Sequence, residues 1–336
     1  MLLPVPLTLV DIARISGVSR STVSRVINAD PNVKERTRKK VQEVIQNLNF
    51  QPNMAARGLA AGSTRVIGLV IPVGVSSIFS DPYFPLVIQG VSSACNQLNY
   101  SIMLWLAEPK YERKTISQII YNGLIDGVIV LSMLMEDPLI DRLSESNRPF
   151  IMIGRHPTNE KISYVDVDNR SGAYQGVSYA IRTGHRRVAF IGGPRNTISG
   201  LDRYQGYLDA LQEHDLALIP ELVTEGDYSD AGGYRAMKGL LPLHPDAVFT
   251  ASDAMAFAAI RAIQEAGLHI PEDIAIIGFD DIPPAATSKP PLTTIQQPIM
   301  QTGKMAAEML IDMIENPNPQ TNHVVLPTEL VIRSSC

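Results

Sequence analysis

One stretch near the start of the chain, LVDIARISGVSRSTVSRVIN, constrains the fold more tightly than anything else in its 336 residues. Thr8 stands three residues before Asp11, the spacing of a capping box, in which each side chain satisfies an orphan amide of a helix start. A first helix is predicted from there to about Ser16. Gly17 then supplies a tight turn, and Ser19 is placed to cap a second helix running to about Ile27. Ile12, Ala13, Val18, Val23 and Val26 are apolar or small where two helices crossing at a steep angle must pack, which is the pattern of a helix-turn-helix. A third helix over about 34–48 puts Val41, Val44, Ile45 and Leu48 on one face and buttresses the pair.

Charge supports a nucleic-acid partner for this end alone. Residues 1–65 carry ten Lys or Arg against four Asp or Glu, so the head is +6 although the whole chain is −5 and the remainder −11. A small basic head on a large acidic body suits a polyanion at one end. With 45% hydrophobic and 19% charged residues the chain is globular, not a disordered acidic solvator. Cys95 and Cys336 are too few for a disulfide scaffold or a zinc cluster, and the histidines at 156, 185, 214, 244, 269 and 323 have no paired ligand spacing. GxxxxGK[ST], GxGxxG and GxSxG motifs are absent, so no cofactor, metal or catalytic centre is expected. Residues 1–10 are apolar but hold Pro4 and Pro6 and no basic leader, so no signal peptide is read there. No apolar run nears the roughly 18 residues of a membrane span, and the expected location is the cytoplasm.

The segments TLVDIARISGVSRSTVSRVIN and FQPNMAARGLAAGSTRVIGLVIP together resemble the lac and purine repressor family of bacterial transcriptional regulators, the LacI/GalR family. The resemblance implies a helix-turn-helix DNA-binding domain over 1–52, a hinge over 53–65 and an effector-binding, dimer-forming core over 66–336. It places Arg20, Ser21 and Arg25 at base edges in the major groove, where an arginine can donate two bonds to guanine. Thr8, Ser19, Thr22 and Ser24 would meet phosphates. In the hinge it assigns Ala56 and Leu59 to the minor groove, Leu59 as an apolar wedge that bends the duplex; Gly58 departs from the family's usual residue. A homodimer on an approximately palindromic operator follows, and the end of the chain at 331–336, without a leucine-rich helix, fits a dimer better than a tetramer.

From Val66 onward, apolar runs such as VIGLVIP, SIMLWLA, GVIVLS, PFIMIG, RVAFIGG, AVFTAS and IAIIGF alternate with amphipathic stretches, the signature of parallel sheets covered by helices. They are too many for one ordinary sheet. The expected fold is a small all-α head joined by a hinge helix to an α/β core of two doubly wound lobes resembling periplasmic sugar-binding proteins. By that resemblance lobe one covers about 66–160 and 294–322, and lobe two about 161–293 and 323–336.

Doubly wound lobes bind ligands at the carboxyl ends of their strands. That rule selects Asp81 and Phe84 after the first strand, Arg155 after PFIMIG, Tyr228 in EGDYSD, Ser252 in TASD and Asp280 in GFDD. Asp253 reads instead as the cap of the following helix, and Asp281 points away from Asp280. Carboxylates and an arginine can bond neighbouring hydroxyls while an aromatic covers a sugar face, so a small sugar or sugar phosphate is the expected effector and genes of carbohydrate uptake or catabolism the expected targets of repression. A purine or other non-sugar effector is the alternative, because GDYSDAGGYRAM also resembles the purine-responsive branch. The family often carries an effector arginine five residues before the glycine of an RxxGY-like helix. Gly206 puts Leu201 there, so Asp202 is expected to substitute and Arg203 to pair along its own helix. An enzyme with a DNA-binding head lacks a nucleophile or acid-base pair here, and an exported binding protein lacks a leader.

Overall fold

A computed structural model describes residues 7–28, 30–50, 63–72, 74–106, 123–131, 134–316 and 318–336. They form two compact units, one within 1–64 and one within 65–336. The hinge through residue 62, with Ala56 and Leu59, lies outside the described residues.

The head contains α1 (Leu9–Ser16), α2 (Arg20–Ile27) and α3 (Glu35–Asn47). Thr8 and Asp11 form the reciprocal capping box, and Gly17 ends α1 in the left-handed conformation at φ 64 that a residue without a Cβ adopts at no cost. The Ser19 hydroxyl accepts from the Thr22 amide at 3.2 Å and caps α2. Ile12, Ala13, Val23, Val26, Val41 and Phe50 are buried together, so the three helices share one small core.

The second unit runs β1 (Val66–Ile71), α4 (Val75–Ser80), α5 (Tyr83–Gln97), β2 (Ser101–Leu106), β3 (Gly127–Leu131), α6 (Pro138–Glu145), β4 (Phe150–Ile153), β5 (Tyr164–Val167), α7 (Asn169–Arg182), β6 (Val188–Gly192), α8 (Ile198–Glu213), β7 (Val223–Glu225), α9 (Asp230–Leu240), β8 (Ala247–Thr250), α10 (Asp253–Glu265), β9 (Ala275–Asp280), β10 (Thr293–Gln296), α11 (Ile299–Glu315), β11 (His323–Leu326) and β12 (Glu329–Val331). Two six-stranded sheets result, ordered β11-β5-β4-β3-β1-β2 and β12-β10-β9-β8-β6-β7. The strand pairs are parallel except β10 with β12. Central strands such as β3, β6, β8 and β9 are buried at every residue, which is why they read as unbroken apolar runs.

Sheet membership corrects the lobe boundaries. Tyr164–Val167, expected in lobe two, pairs with β4 in the first sheet; His323–Leu326, also expected in lobe two, lies parallel to it with His323 opposite Tyr164. Thr293–Gln296 pairs with β9, so it belongs wholly to the second sheet. Lobe one is thus 66–167 with 299–326, and lobe two 169–296 with 329–336. The physical reason is that these strands are short and partly polar, and their place is fixed by ladder bonds to a distant strand that no local pattern announces. The chain crosses between the sheets after β5, before α11 and after β11, and each crossing lies at the carboxyl end of a strand.

Candidate functional site

In the head, Arg20, Ser21 and Arg25 are exposed while Val23 and Val26 on the opposite side of α2 are buried. Helical spacing puts 20, 21, 24 and 25 on one stripe, so α2 presents two arginines and two hydroxyls outward. Arg25 has Asp30 at 3.8 Å, a loose pair at an exposed position. Thr8 and Ser19 are already engaged: the Thr8 hydroxyl donates to Asp11 at 2.7 Å, and Ser19 holds its cap and lies 2.8 Å from the hydroxyls of Ser21 and Thr22. Thr22 and Ser24 are half-buried beside them.

In the second unit, a cavity of about 250 Å³ sits at the carboxyl ends of both sheets. Its lining includes Asp81, Phe84, Arg155, Tyr228, Ser252 and Asp280, so six of the seven residues named from the sequence come together. Asp202 is the exception. Its carboxylate bonds Arg155 Nη2 at 2.7 Å, while Arg155 Nη1 bonds Asp166 at 2.7 Å. Arg155 and Asp166 belong to lobe one and Asp202 to α8 of lobe two, so this triad ties the lobes together. Asp202 is held by Arg155 and is not among the residues that line the cavity, where it was expected.

The neighbouring residue, Arg203, does reach the cavity wall. Arg203 is 6% exposed, lines the cavity and is held on three sides. Its Nε donates to Asn169 Oδ1 at 2.9 Å, Nη1 donates to the Ala251 carbonyl, and Asp280 lies 3.8 Å away. The guanidinium stacks 3.7 Å over the Phe279 ring. The expected pairing of Arg203 along its own helix is therefore wrong. Gly206 was a usable signal: a Cβ there would overlap the Arg170 carbonyl, so Gly206 faces α7, and a residue three positions earlier shares its face.

Asp280 is buried at φ 127 and accepts from Gln297 Nε2 at 2.5 Å. Burial pushes its carboxyl up to about 7, Arg203 and the Gln297 bond oppose that, and the charge of Asp81 adds to it. Asp81 is itself pushed up by burial, against the Tyr83 amide that donates to it at 3.0 Å. Asp281 turns away, to Arg333 at 2.7 Å and Gln296 at 2.9 Å. The expected cap at Asp253 is also corrected. Ser252 caps α10 through the Met255 amide, and Asp253, fully buried, bonds Thr294 at 2.5 Å and the Ile282 amide at 3.0 Å. What Ser252 shows to the cavity is therefore a capped helix end.

Tyr228 takes φ 62, an uncommon conformation for a bulky residue, and its hydroxyl lies 3.0 Å from that of Ser199. Its ring lies so close over Gly193 that any side chain there would overlap it. Strained backbone at Tyr228 and Asp280, both on the cavity wall, is the kind of cost that persists where a site over-determines it. Tyr83, Asn169, Ser199 and Gln297 also line the cavity and were not named from the sequence. Tyr83 follows Asp81 by two residues and Ser199 lies in the first turn of α8, but Asn169 and Gln297 sit beside crossings whose position only the sheet order reveals.

A helix-turn-helix head and a two-lobed core with a cavity of mixed polar and apolar lining at the strand ends define a ligand-responsive DNA-binding protein. Residues 8–53 match the bacterial regulatory proteins of the lacI family, and residues 177–336 match the periplasmic binding protein-like domain. The chain is 36% identical over 332 residues to the HTH-type transcriptional regulator CelR of Thermobifida fusca, covering 98% of each, and 31% identical over 334 residues to the repressor PurR of Aliivibrio fischeri, again covering 98% of each. A solved CelR–cellobiose complex superimposes with a TM-score of 0.79 at 34% identity, covering 98% of this chain and 100% of the other. The lac repressor dimer bound to operator and the anti-inducer ONPF superimposes at 0.87 with 27% identity, covering 98% and 99%. The chain belongs to the lacI family of bacterial regulatory proteins and is a DNA-binding transcriptional regulator. Among the described residues no helix is long and apolar enough to cross a membrane.

Proposed function

We propose that the protein is a cytoplasmic homodimeric repressor of carbohydrate uptake or catabolism genes, released from or tightened on an approximately palindromic operator by a small sugar or sugar phosphate. The observation that carries this reading is the cavity, to which lobe one gives Asp81, Phe84 and Arg155 and lobe two gives Tyr228, Ser252, Arg203 and Asp280. A ligand bonded to both lobes has a different affinity for each lobe arrangement, and that difference is all a ligand has with which to shift DNA affinity. Arg20, Ser21 and Arg25 read bases; Thr22 and Ser24 meet phosphates. With the Thr8 and Ser19 hydroxyls engaged, the phosphates at those two helix starts are met by the remaining amides. Ala56 and Leu59 enter the minor groove.

The carbohydrate is favoured over a purine by the density of hydroxyl-matching carboxylates and by CelR, whose structure holds cellobiose and whose identity of 36% exceeds the 31% of PurR. Selection of genomic fragments by the purified protein tests the whole reading. Enrichment of a palindrome beside sugar-uptake or glycosidase genes is expected, together with a change in operator affinity when a sugar is added. Enrichment beside purine genes, answered by a purine base and not by sugars, would reject the effector.

A further inference from the structure

The charge balance of the cleft narrows the effector further. Arg155 lies between Asp166 and Asp202, each at 2.7 Å. Arg203 is taken up by Asn169, the Ala251 carbonyl and Asp280. Two more carboxylates on the wall, Asp227 and Asp230, are paired with Arg235 at 3.6 Å and Arg261 at 2.8 Å. Among the described residues that line the cavity, Asp81, Asp166, Asp227, Asp230 and Asp280 are carboxylates and Arg155 and Arg203 are guanidiniums, five against two, while Asp202, Arg235 and Arg261 pair with them from outside the lining. Asp81 has no ion-pair partner among the described residues, and it faces the same cavity as Asp280 from the opposite lobe. The helix starts at Thr197, Ser229 and Ser252 bring some positive potential, but each has its cap hydroxyl bonded, and α9 and α10 carry Asp230 and Asp253 in their first turns.

An anion entering this cavity meets more carboxylates than arginines on the described lining, in surroundings where charges are poorly screened. A neutral polyol meets acceptors on both sides: one hydroxyl donates to Asp81 of lobe one and another to Asp280 of lobe two, joining the lobes through hydrogen bonds that need no countercharge on the ligand. An ammonium drawn to Asp81 is repelled by Arg203, which shares the cavity wall with Asp280.

We propose that the effector is an uncharged sugar, and that Asp81 and Asp280, one from each lobe, select it by rejecting phosphorylated and uronic-acid forms. This rests on the carbohydrate reading of the cleft. The test is calorimetric titration of the full chain at about pH 8 and 0.15 M salt with neutral mono- and disaccharides, cellobiose among them, their 6-phosphates, the matching uronates and the 2-amino sugars. The expected result is a neutral sugar that binds at least tenfold tighter than each of its charged counterparts, with the margin over the 6-phosphate shrinking about tenfold in Asp81→Asn. A phosphate, uronate or amino sugar that binds as tightly as the neutral form overturns the inference and leaves the carbohydrate reading intact. A margin unmoved in Asp81→Asn removes Asp81 from the selection. A panel in which no carbohydrate binds overturns the carbohydrate reading, and the inference with it.

Discussion

The head and the cleft hold their functional side chains in opposite ways. Arg20, Ser21 and Arg25 stand exposed on an eight-residue helix whose attachment is made by Val23 and Val26 underneath. Arg203, Asp280 and Asn169 are 6%, 5% and 2% exposed, and Arg203 binds or faces the other two. In the head, the proposed recognition and the stability therefore rest on different residues. In the cleft they rest on the same ones, because a buried charge is tolerated only while its partners satisfy it.

Arg203→Ala gives the largest separation between the two regions. It takes the nearby guanidinium from buried Asp280 and leaves the Asn169 and Ala251 oxygens without their donor, so we expect a loss of about 3–5 kcal/mol in denaturant melts, together with loss of ligand response. A loss under about 1 kcal/mol would break the comparison, since the network would then not be holding the site. Arg20→Ala comes next. Operator affinity measured by fluorescence anisotropy should fall by roughly 10- to 100-fold, about 1–3 kcal/mol, and base preference should relax. The melting midpoint should stay put, because surface substitutions of this kind change stability by about 0.5 kcal/mol or less. A lower midpoint would mean the exposed arginine is structural.

The same contrast explains what could be read in advance. The head is legible because its signals are local: Thr8 and Asp11 cap across three residues, Gly17 turns the chain and Ser19 starts the next helix. The central strands are legible because burial on both faces demands unbroken Val, Ile and Leu. The short strands are not: Val223–Glu225 and Glu329–Val331 are three residues long, too short for any apolar pattern to register, and Asp166 interrupts Tyr164–Val167. Within the cleft, the strand-end rule finds Asp81, Arg155, Tyr228, Ser252 and Asp280, since each follows or ends an apolar run or its loop. It cannot say which carboxylate an arginine will choose. Asp202 and Arg203 are adjacent on α8, and which of them faces the cavity is decided by Gly206, three residues on, packing against Arg170 of α7, and by Asn169 at the lobe crossing, partners more than thirty residues away in the chain.

Acid titration sharpens the comparison because the two regions should respond with opposite sign. Asp280 keeps its proton in the folded protein to about pH 7, whereas the unfolded chain releases it near 3.8. The native state binds more protons across that window, so this contribution is complete below about pH 4 and is lost as the pH rises through 7. Burial pushes Asp81, Asp166 and Asp253 the same way. Asp11 of the head runs the other way: hydrogen bonds from Thr8 hold its carboxyl below the usual range, so what it contributes is present above about pH 4 and is lost on further acidification. Asp280→Asn should flatten the stability profile between pH 5 and 8 by at least the ~1.4 kcal/mol that one pKa unit represents. A profile as steep as that of the parent would show that Asp280 is ionised throughout.

The smallest effect concerns the capping box itself. Thr8→Ala removes the hydroxyl that accepts from the Asp11 amide and donates to its carboxylate, and leaves the first turn of α1 with one more unsatisfied donor. A lost cap of this kind costs about 1 kcal/mol, which should raise hydrogen exchange of the α1 amides roughly fivefold. Thr8 is exposed and makes its contacts within its own helix start, so exchange in β8 and β9 of the core should not change, and binding of the effector should not change either. Faster exchange confined to α1, with operator affinity reduced only in proportion to the population of unfrayed helix, is what a purely local device predicts. If operator affinity instead falls far more than the fraying can explain, the Thr8 hydroxyl touches the phosphate directly, and in the head too one side chain would then serve fold and partner at once.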